Sequence, residues 1–502
     1  MRKVLVVLLV LVSFFISCAR DNIVTLAPGH LQVVQAGFPV SMDTTRSNDL
    51  ASSMVNRQYA ETLVMFATPA FDLVPHLAES WEMPDPQTLI MSLRQGVMFH
   101  NGDEMKASDV AFSLMRGVNS PTVRFILEMI ESVDVLDDHT VQINLNVPFA
   151  PILGHLTHLG AAIVSERAVM EMGDDFANRP VGTGPFMVES MGLGEFVELV
   201  RHENYWGRLP EIERITIRTI PEAANRLIEI ETGGAHIAMG IAPHNLPRLQ
   251  ADPNLDYFRI FALQMHHMGF NFRNPALADI RVRQAINYAL DVPAIVETVF
   301  QGTGRPISGP MVGIPGSLTF DPHPFNVGRA RELMAEAGFA DGLTLSLWSN
   351  VANQVDTDQA IIIQNMLAEI NIDVEIVAVE FATFASRTHA GDHDMYLHGW
   401  TNPPADPDYA MILFHSNSIY GTGNRMFYSN PEVDRLLDLG RMELDPARRL
   451  QLYEEAQQLI VADMPAVWIL QSEALVSIAP GLRNFVNFPI NTPRLWDITL
   501  PR

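Results

Sequence analysis

Residues 343–400 read LTLSLWSNVANQVDTDQAIIIQNMLAEINIDVEIVAVEFATFASRTHAGDHDMYLHGW. Residues 343–347 alternate like a strand, and 358–370 carry helical spacing. Ile372, Val374, Ile376 and Ala378 alternate again, 381–390 fit a short helix, and 395–398 read as a third strand. Strand–helix–strand–helix–strand predicts a parallel sheet with right-handed crossovers, hence an α/β fold. Ligands of such sheets sit off the carboxyl ends of the strands. Those ends are 348–350 and 399–402, which makes Trp400 and its neighbours site candidates.

The flanking sequence agrees. Val282, Ala285, Ile286, Ala289 and Leu290 lie at helical spacing, with Asp279 as a cap. Asp291 can cap a second helix, with Pro293 in its first turn and Gly302 just past its end. Ala330, Leu333, Met334 and Ala337 form another stripe closed by Gly338. The first half is richer in strands. Residues 132–147 predict a hairpin turning at Asp137 and Asp138, and Asn101-Gly102 marks another turn.

The chain opens MRKVLVVLLVLVSFFISCA. Arg2 and Lys3 supply a positive start. The apolar run 4–16 is 13 residues long, right for a signal-peptide core and too short to span a bilayer. Ser17 is a small residue before the cut, and Cys18, the single cysteine, would begin the mature chain. The stretch resembles a bacterial lipoprotein signal, although Phe15 stands where such signals usually carry Leu. Residues 1–17 are therefore read as a signal peptide and Cys18 as a lipidation site; the competing reading is an ordinary secretory signal. Both place the protein on the extracytoplasmic or periplasmic face.

The 502 residues exceed what one core usually holds. Net charge is −25, or −27 without Arg2 and Lys3, which argues against nucleic acid as a partner. One cysteine permits no internal disulfide. There is no Gly-x-Ser-x-Gly elbow, His-Glu-x-x-His helix or phosphate loop. Gly182 and Gly184 lack a third glycine and a βα setting, and the 183–185 turn is read as structural. No catalytic residue and no cofactor is nominated. His389, His393, His398 and His415 lack regular ligand spacing, so no metal site is assigned, and a metallophore is the alternative reading of the cluster.

Four stretches resemble the extracellular solute-binding proteins of family 5, the peptide, nickel and opine binders of ABC importers. They are PHLAESWEMPDPQTLIMSLRQGVMFHNGDEMKASDVAFSLMR at 75–116, VGTGPFMVES at 181–190 with NYWGRLP at 204–210, the run 269–311 beginning GFNFRNPALADIRVRQAINYALD, and GWTNPPADPDYAMILF at 399–414. Their order across the chain carries the resemblance more than any one motif. It implies a two-lobed periplasmic-binding-protein-like fold with an extra subdomain on the first lobe and a hinge crossed twice. Lobe I would be 18–265 with the subdomain at about 56–180, lobe II 266–480, and 481–502 a return to lobe I. The crossings would lie near 261–268 and 478–482. The implied function is that of a monomeric, lipid-anchored receptor. It would capture a peptide or related solute and deliver it to an ABC permease and ATPase complex. Alternatives are a non-peptide ligand (oligosaccharide, opine or metal chelate) or an exported hydrolase.

The family also directs attention to particular residues. Trp400 occupies a position that lines the cleft in the family; the competing reading is a core tryptophan. Gly399 would admit ligand backbone, and Asn402 lies in the same strand-end loop. Asp406 could accept a ligand amine or cap a helix, as could Asp408. Dipeptide-type members carry an aspartate three residues after the tryptophan, where this chain has Pro403. They also carry an arginine near the position of Asn350. Arg46 and Asn48, with Asp49, follow the first predicted strand, where family members bring a loop to the cleft.

Overall fold

The computed structural model describes residues 27–67, 70–351, 354–419 and 423–500; the leader and Cys18 lie outside them. No helix among the described residues is long and apolar enough to cross a membrane.

The 343–400 unit folds as its spacing dictates. Leu343–Asn350 pairs in parallel with both Ile372–Val379 and Met395–Thr401. Helices Gln354–Ala368 and Phe381–Ala390 make the crossovers. The last strand runs on to Thr401 because it also pairs with a distant partner, from Phe270↔Met395 to Gln264↔Thr401.

That partner, Asp256–Phe270, and its neighbour Ala466–Ile478 lie in the middle of an 11-stranded sheet. They pair antiparallel from Asp256↔Ile478 to Gly269↔Ala466, with a register break between Phe261 and Met265, opposite Glu473 and Gln471. One flank of this pair carries the 343–400 strands. The other carries Ile237–Ala238, then His30–Gln35, Arg214–Thr219, Phe196–Arg201 and Phe186–Gly192. His30–Gln35 is parallel to both its neighbours.

Apolar side chains cover both faces of each half, which is why these strands are so apolar. Leu345, Leu347, Val374 and Leu397 pack on Val282, Ile286 and Ile363 on one face. Met265, Trp348 and Tyr396 pack on Phe384, Leu436 and Tyr453 on the other. In the first half Leu31, Val33, Ile215 and Ile217 share a core with Leu482, Phe485, Leu495 and Ile498 of the tail. A separate core lies between the four-stranded sheet of Ala78–Asp85, Thr88–Leu93, Thr140–Leu145 and Ile130–Asp137 and the helix Ala107–Val118. The hairpin expected at 132–147 is the Ile130–Asp137 and Thr140–Leu145 pair. Asp279 and Asp291 cap Ile280–Ala289 and Val292–Phe300. The second helix ends on Gln301 at φ 46°, with Gly302 at φ 78° after it.

The 75–116, 181–190 and 204–210 stretches each send a side chain to one buried carboxylate. Glu61 accepts from Thr183 Oγ1 at 2.8 Å, Tyr205 Oη at 2.7 Å and Trp206 Nε1 at 2.9 Å, and lies 3.1 Å from His76 Nε2. Gly182 and Gly184 pass the adjoining Tyr59 backbone so closely that a Cβ on Gly182 would sit 2.2 Å from its carbonyl oxygen. Burial opposes the charge on Glu61, but His76 and the hydrogen bonds of His76, Trp206 and Tyr205 outweigh it and hold the carboxyl below its ordinary 4.5.

Glu61→Gln places an amide N–H₂ against these donors, so denaturant unfolding at pH 7 should show a loss of about 2–4 kcal/mol. Because the folded pKa is lowered, the carboxylate's contribution is full above about 4.5 and is lost as pH falls through the folded value. The gap between wild type and variant should therefore narrow in acid. A pH-independent gap would contradict this assignment.

Candidate ligand-binding cleft

The register break faces a cavity of about 970 Å³. Ala262, Gln264 and residues 472–475 of the two long strands form one wall. Lobe I contributes Ala36 at the end of the first strand, Asn48, Asp49 and Arg57 around the helix Leu50–Tyr59, and His158. Opposite them, Val351, Thr401 and Pro403 follow directly on the carboxyl ends of lobe II strands, as an α/β sheet predisposes. Phe488, Ile490, Thr492 and Arg494 of the tail complete the wall. The volume lies at the upper end of the range for small-molecule sites.

The lobes touch around the cavity. Ala150 N donates to the Arg441 carbonyl at 2.9 Å, and within the wall itself Leu263 N donates to that of Pro489 at 2.7 Å. Tyr409 of lobe II packs into the subdomain core beside Phe125 and His155.

Of the residues nominated from sequence, Asn48 lines the cavity, and its Oδ1 lies 3.1 Å from His158 Nε2. His158 Nδ1 accepts the Gly160 N–H, so Nε2 is the donor; burial lowers its pKa to about 3 and keeps the ring neutral. Asp49 lines it too, and the remaining nominees make the contacts that follow. Trp400 stacks on Tyr409 with centroids 5.4 Å apart and donates Nε1 to the Tyr409 carbonyl at 3.3 Å. It packs against both the subdomain core and the lobe II core. A Cβ on Gly399 would meet Gln264 Nε2 at 3.1 Å and His266 at 3.2 Å, so this glycine makes room for a wall residue. Asn402 is buried and braces its own turn, donating to the Asp406 carbonyl at 3.0 Å. Asp406 caps Pro407–Met411 and binds Arg449 through two hydrogen bonds, at 2.6 and 2.9 Å. Asp408 pairs with Arg441 at 2.9 Å. Asn350 ends its strand one residue before Val351 of the wall. Arg46 is half exposed and pairs with Asp174 at 2.7 Å.

The sequence reading did not single out Arg57, His158, Gln264 or the tail. Gln264 fell inside the predicted 261–268 crossing, and its Oε1 accepts from Ser472 Oγ at 2.9 Å. Among the described residues no group of three or more His, Cys, Asp or Glu could hold a metal ion. His398 lies beside Phe381 and Phe384, whereas His415 pairs with Asp438 at 3.2 Å.

Residues 72–422 match the family model described as Bacterial extracellular solute-binding proteins, family 5 Middle. The chain belongs to that family. This binding protein is 29% identical over 452 residues to the glutathione-binding protein GsiB of Pectobacterium atrosepticum, covering 87% of each chain. It is 27% identical over 478 residues to heme-binding protein A of Haemophilus influenzae, covering 89% of this chain and 87% of the other. The periplasmic binding protein DppA of Helicobacter pylori, solved with the peptide STSA, superposes with a TM-score of 0.87 at 26% identity, covering 94% and 98%. The two-lobed periplasmic-binding-protein fold is thereby shown.

Closure can be tested at Gly154. The three atoms nearest a Cβ placed there belong to Pro404 and Asp406 of lobe II, the closest at 3.3 Å. Gly154 lies in the short helix Ile152–His155, where a side chain strains no backbone. Gly154→Met should hold the lobes apart, raising the radius of gyration in small-angle scattering while the far-ultraviolet circular dichroism stays unchanged. An unchanged radius would mean that the 404–406 loop yields locally.

Proposed function

We propose that this binding protein is the lipid-anchored receptor of an ABC importer, closing on one peptide-class or related solute and presenting it to a membrane permease. The observation that carries the reading is the cavity of about 970 Å³ at the register break, walled by both lobes. A solute that touches both walls stabilises the closed arrangement by its extra contacts there, and only by those. Cys18 is the proposed anchor, a monomer the working state, and the extracytoplasmic face the location. The hinge is assigned to the break at 261–265 and the facing 471–473. Asn48, Gln264 and Thr401 are proposed to touch solute directly, with Trp400 acting through Tyr409 to hold the closed state.

The glutathione-binding protein GsiB, heme-binding protein A and DppA with its peptide supply the solute classes to consider. One observation favours a ligand not held through its α-amine: Pro403 stands in the wall, and Asp406 is committed to Arg449. This supports longer peptides gripped through main chain, or opine-type and related solutes.

A thermal-shift screen of the mature chain made without lipid, using peptides, glutathione, opines, oligosaccharides and hemin, checks the reading. A true solute should raise the melting temperature, with about 2.7 kcal/mol of added stability at 100 times its Kd, and be recovered chemically intact. Stabilisation followed by conversion of the solute would replace the receptor with a hydrolase.

A further inference from the structure

We infer that Arg57 is the cleft's receptor for an anionic group on the solute, a carboxylate first of all, so that the protein selects acids over their neutral derivatives. The inference rests on the capture reading above and names the class of solute.

Arg57 lies in the last turn of Leu50–Tyr59 and lines the cavity. Its Nε is buried without a hydrogen-bond partner, and no carboxylate among the described residues lies within ion-pair distance of its guanidinium. The other cations of the wall are differently placed. Arg226 donates to the carbonyls of Ile220, Pro221, Met239 and Gly240, at 2.5–2.9 Å. Arg494 donates to those of Phe66 and Ala67.

The acids of the wall do not answer Arg57 either. Asp49 is engaged at the start of the helix by Ser52 N at 2.8 Å and Ser52 Oγ at 2.6 Å. Glu473 is held by Arg259 Nε at 3.0 Å. Glu222 is exposed at the mouth. Arg57 is thus a cation walled in without a counter-charge.

Burial and the neighbouring Arg494 both disfavour its charge, lowering its pKa to about 10, which still leaves it protonated at neutral pH. Closing the lobes over an unpaired guanidinium is costly, because a buried charge without a partner loses its hydration. A carboxylate on the solute removes that cost and fits the planar fork with two parallel hydrogen bonds. Arg494, whose hydrogen bonds go to neutral carbonyls and whose charge Asp497 offsets only from nearby, adds a second positive charge to the same end of the cavity. An anion would therefore favour the closed state as well as affinity.

The test uses the mature chain without lipid and four probe mixtures read by native mass spectrometry. These are tetrapeptides as free acids, the same tetrapeptides as C-terminal amides, opine-type N-carboxyalkyl amino acids, and neutral oligosaccharides. Wild type should retain one of the acid classes at least about tenfold better than the amides or oligosaccharides. Which acid is retained distinguishes a peptide C-terminus from an opine carboxylate. R57M should bring acids and amides to within about twofold, and R57K should recover part of the preference. Unliganded melting curves establish that the variants fold. If R57M does not fold, the wild-type ratio of acid to amide decides alone. Equal retention of acids and amides, an R57M protein that keeps the preference, or retention of oligosaccharides alone would overturn the inference and leave the capture reading standing. Retention of nothing in any arm would remove both.

Discussion

The pairing of Asp256–Phe270 with Ala466–Ile478 joins the strands of both lobes into one sheet, and the cleft lies where that pairing breaks register. Each strand serves the two lobes with different halves of its length. Leu475, Val476 and Ile478 share cores with the His30–Gln35 strand, while Met265, Met268 and Phe270 share cores with the 343–400 strands. Between them, Phe261 is partly exposed and Gln264 faces the cavity. A sheet whose ends are packed and whose middle lacks continuous ladder bonds concentrates its deformability at that middle.

Lobe I rests on a second constraint, the buried carboxylate of Glu61. Four donors from three separate stretches of chain converge on it, so its charge is hydrogen-bonded on both oxygens. A buried carboxylate is tolerable only on these terms. It fixes the segment just after Arg57 and Tyr59, and Tyr59 in turn packs against Gly182 and Gly184. The motifs that carry the family resemblance in the first half are thus largely a scaffold for this node. Arg57, two turns into the same helix, is held at the cavity by it.

Local chemistry made much of this legible from sequence. The 343–400 crossovers, the Asp279 and Asp291 caps and the 132–147 hairpin each depend on residues near one another in the chain. The strand ending at Thr401 read short, because its last residues are strands through pairing with Gln264 and not through their own pattern. The choice left open at Asp406 depended on Arg449, 43 positions away. Arg57 was not singled out, because nothing near it in the chain marks it. Its setting comes from the tail, which reaches the neighbouring Gln58 across 435 positions when Pro493 O accepts from Gln58 Nε2 at 3.3 Å. No periodicity encodes an approach of that kind. Trp400 stacks on Tyr409 and packs against the subdomain and lobe II cores, contacts that its own strand pattern could not disclose.

A crystal structure of the mature chain, purified without denaturation from its own source, tests the central claim most directly. The account predicts electron density for one small solute in the cavity, touching Asn48 from lobe I and Thr401 from lobe II. A solute bound on an outer surface while this cavity holds only water would contradict it.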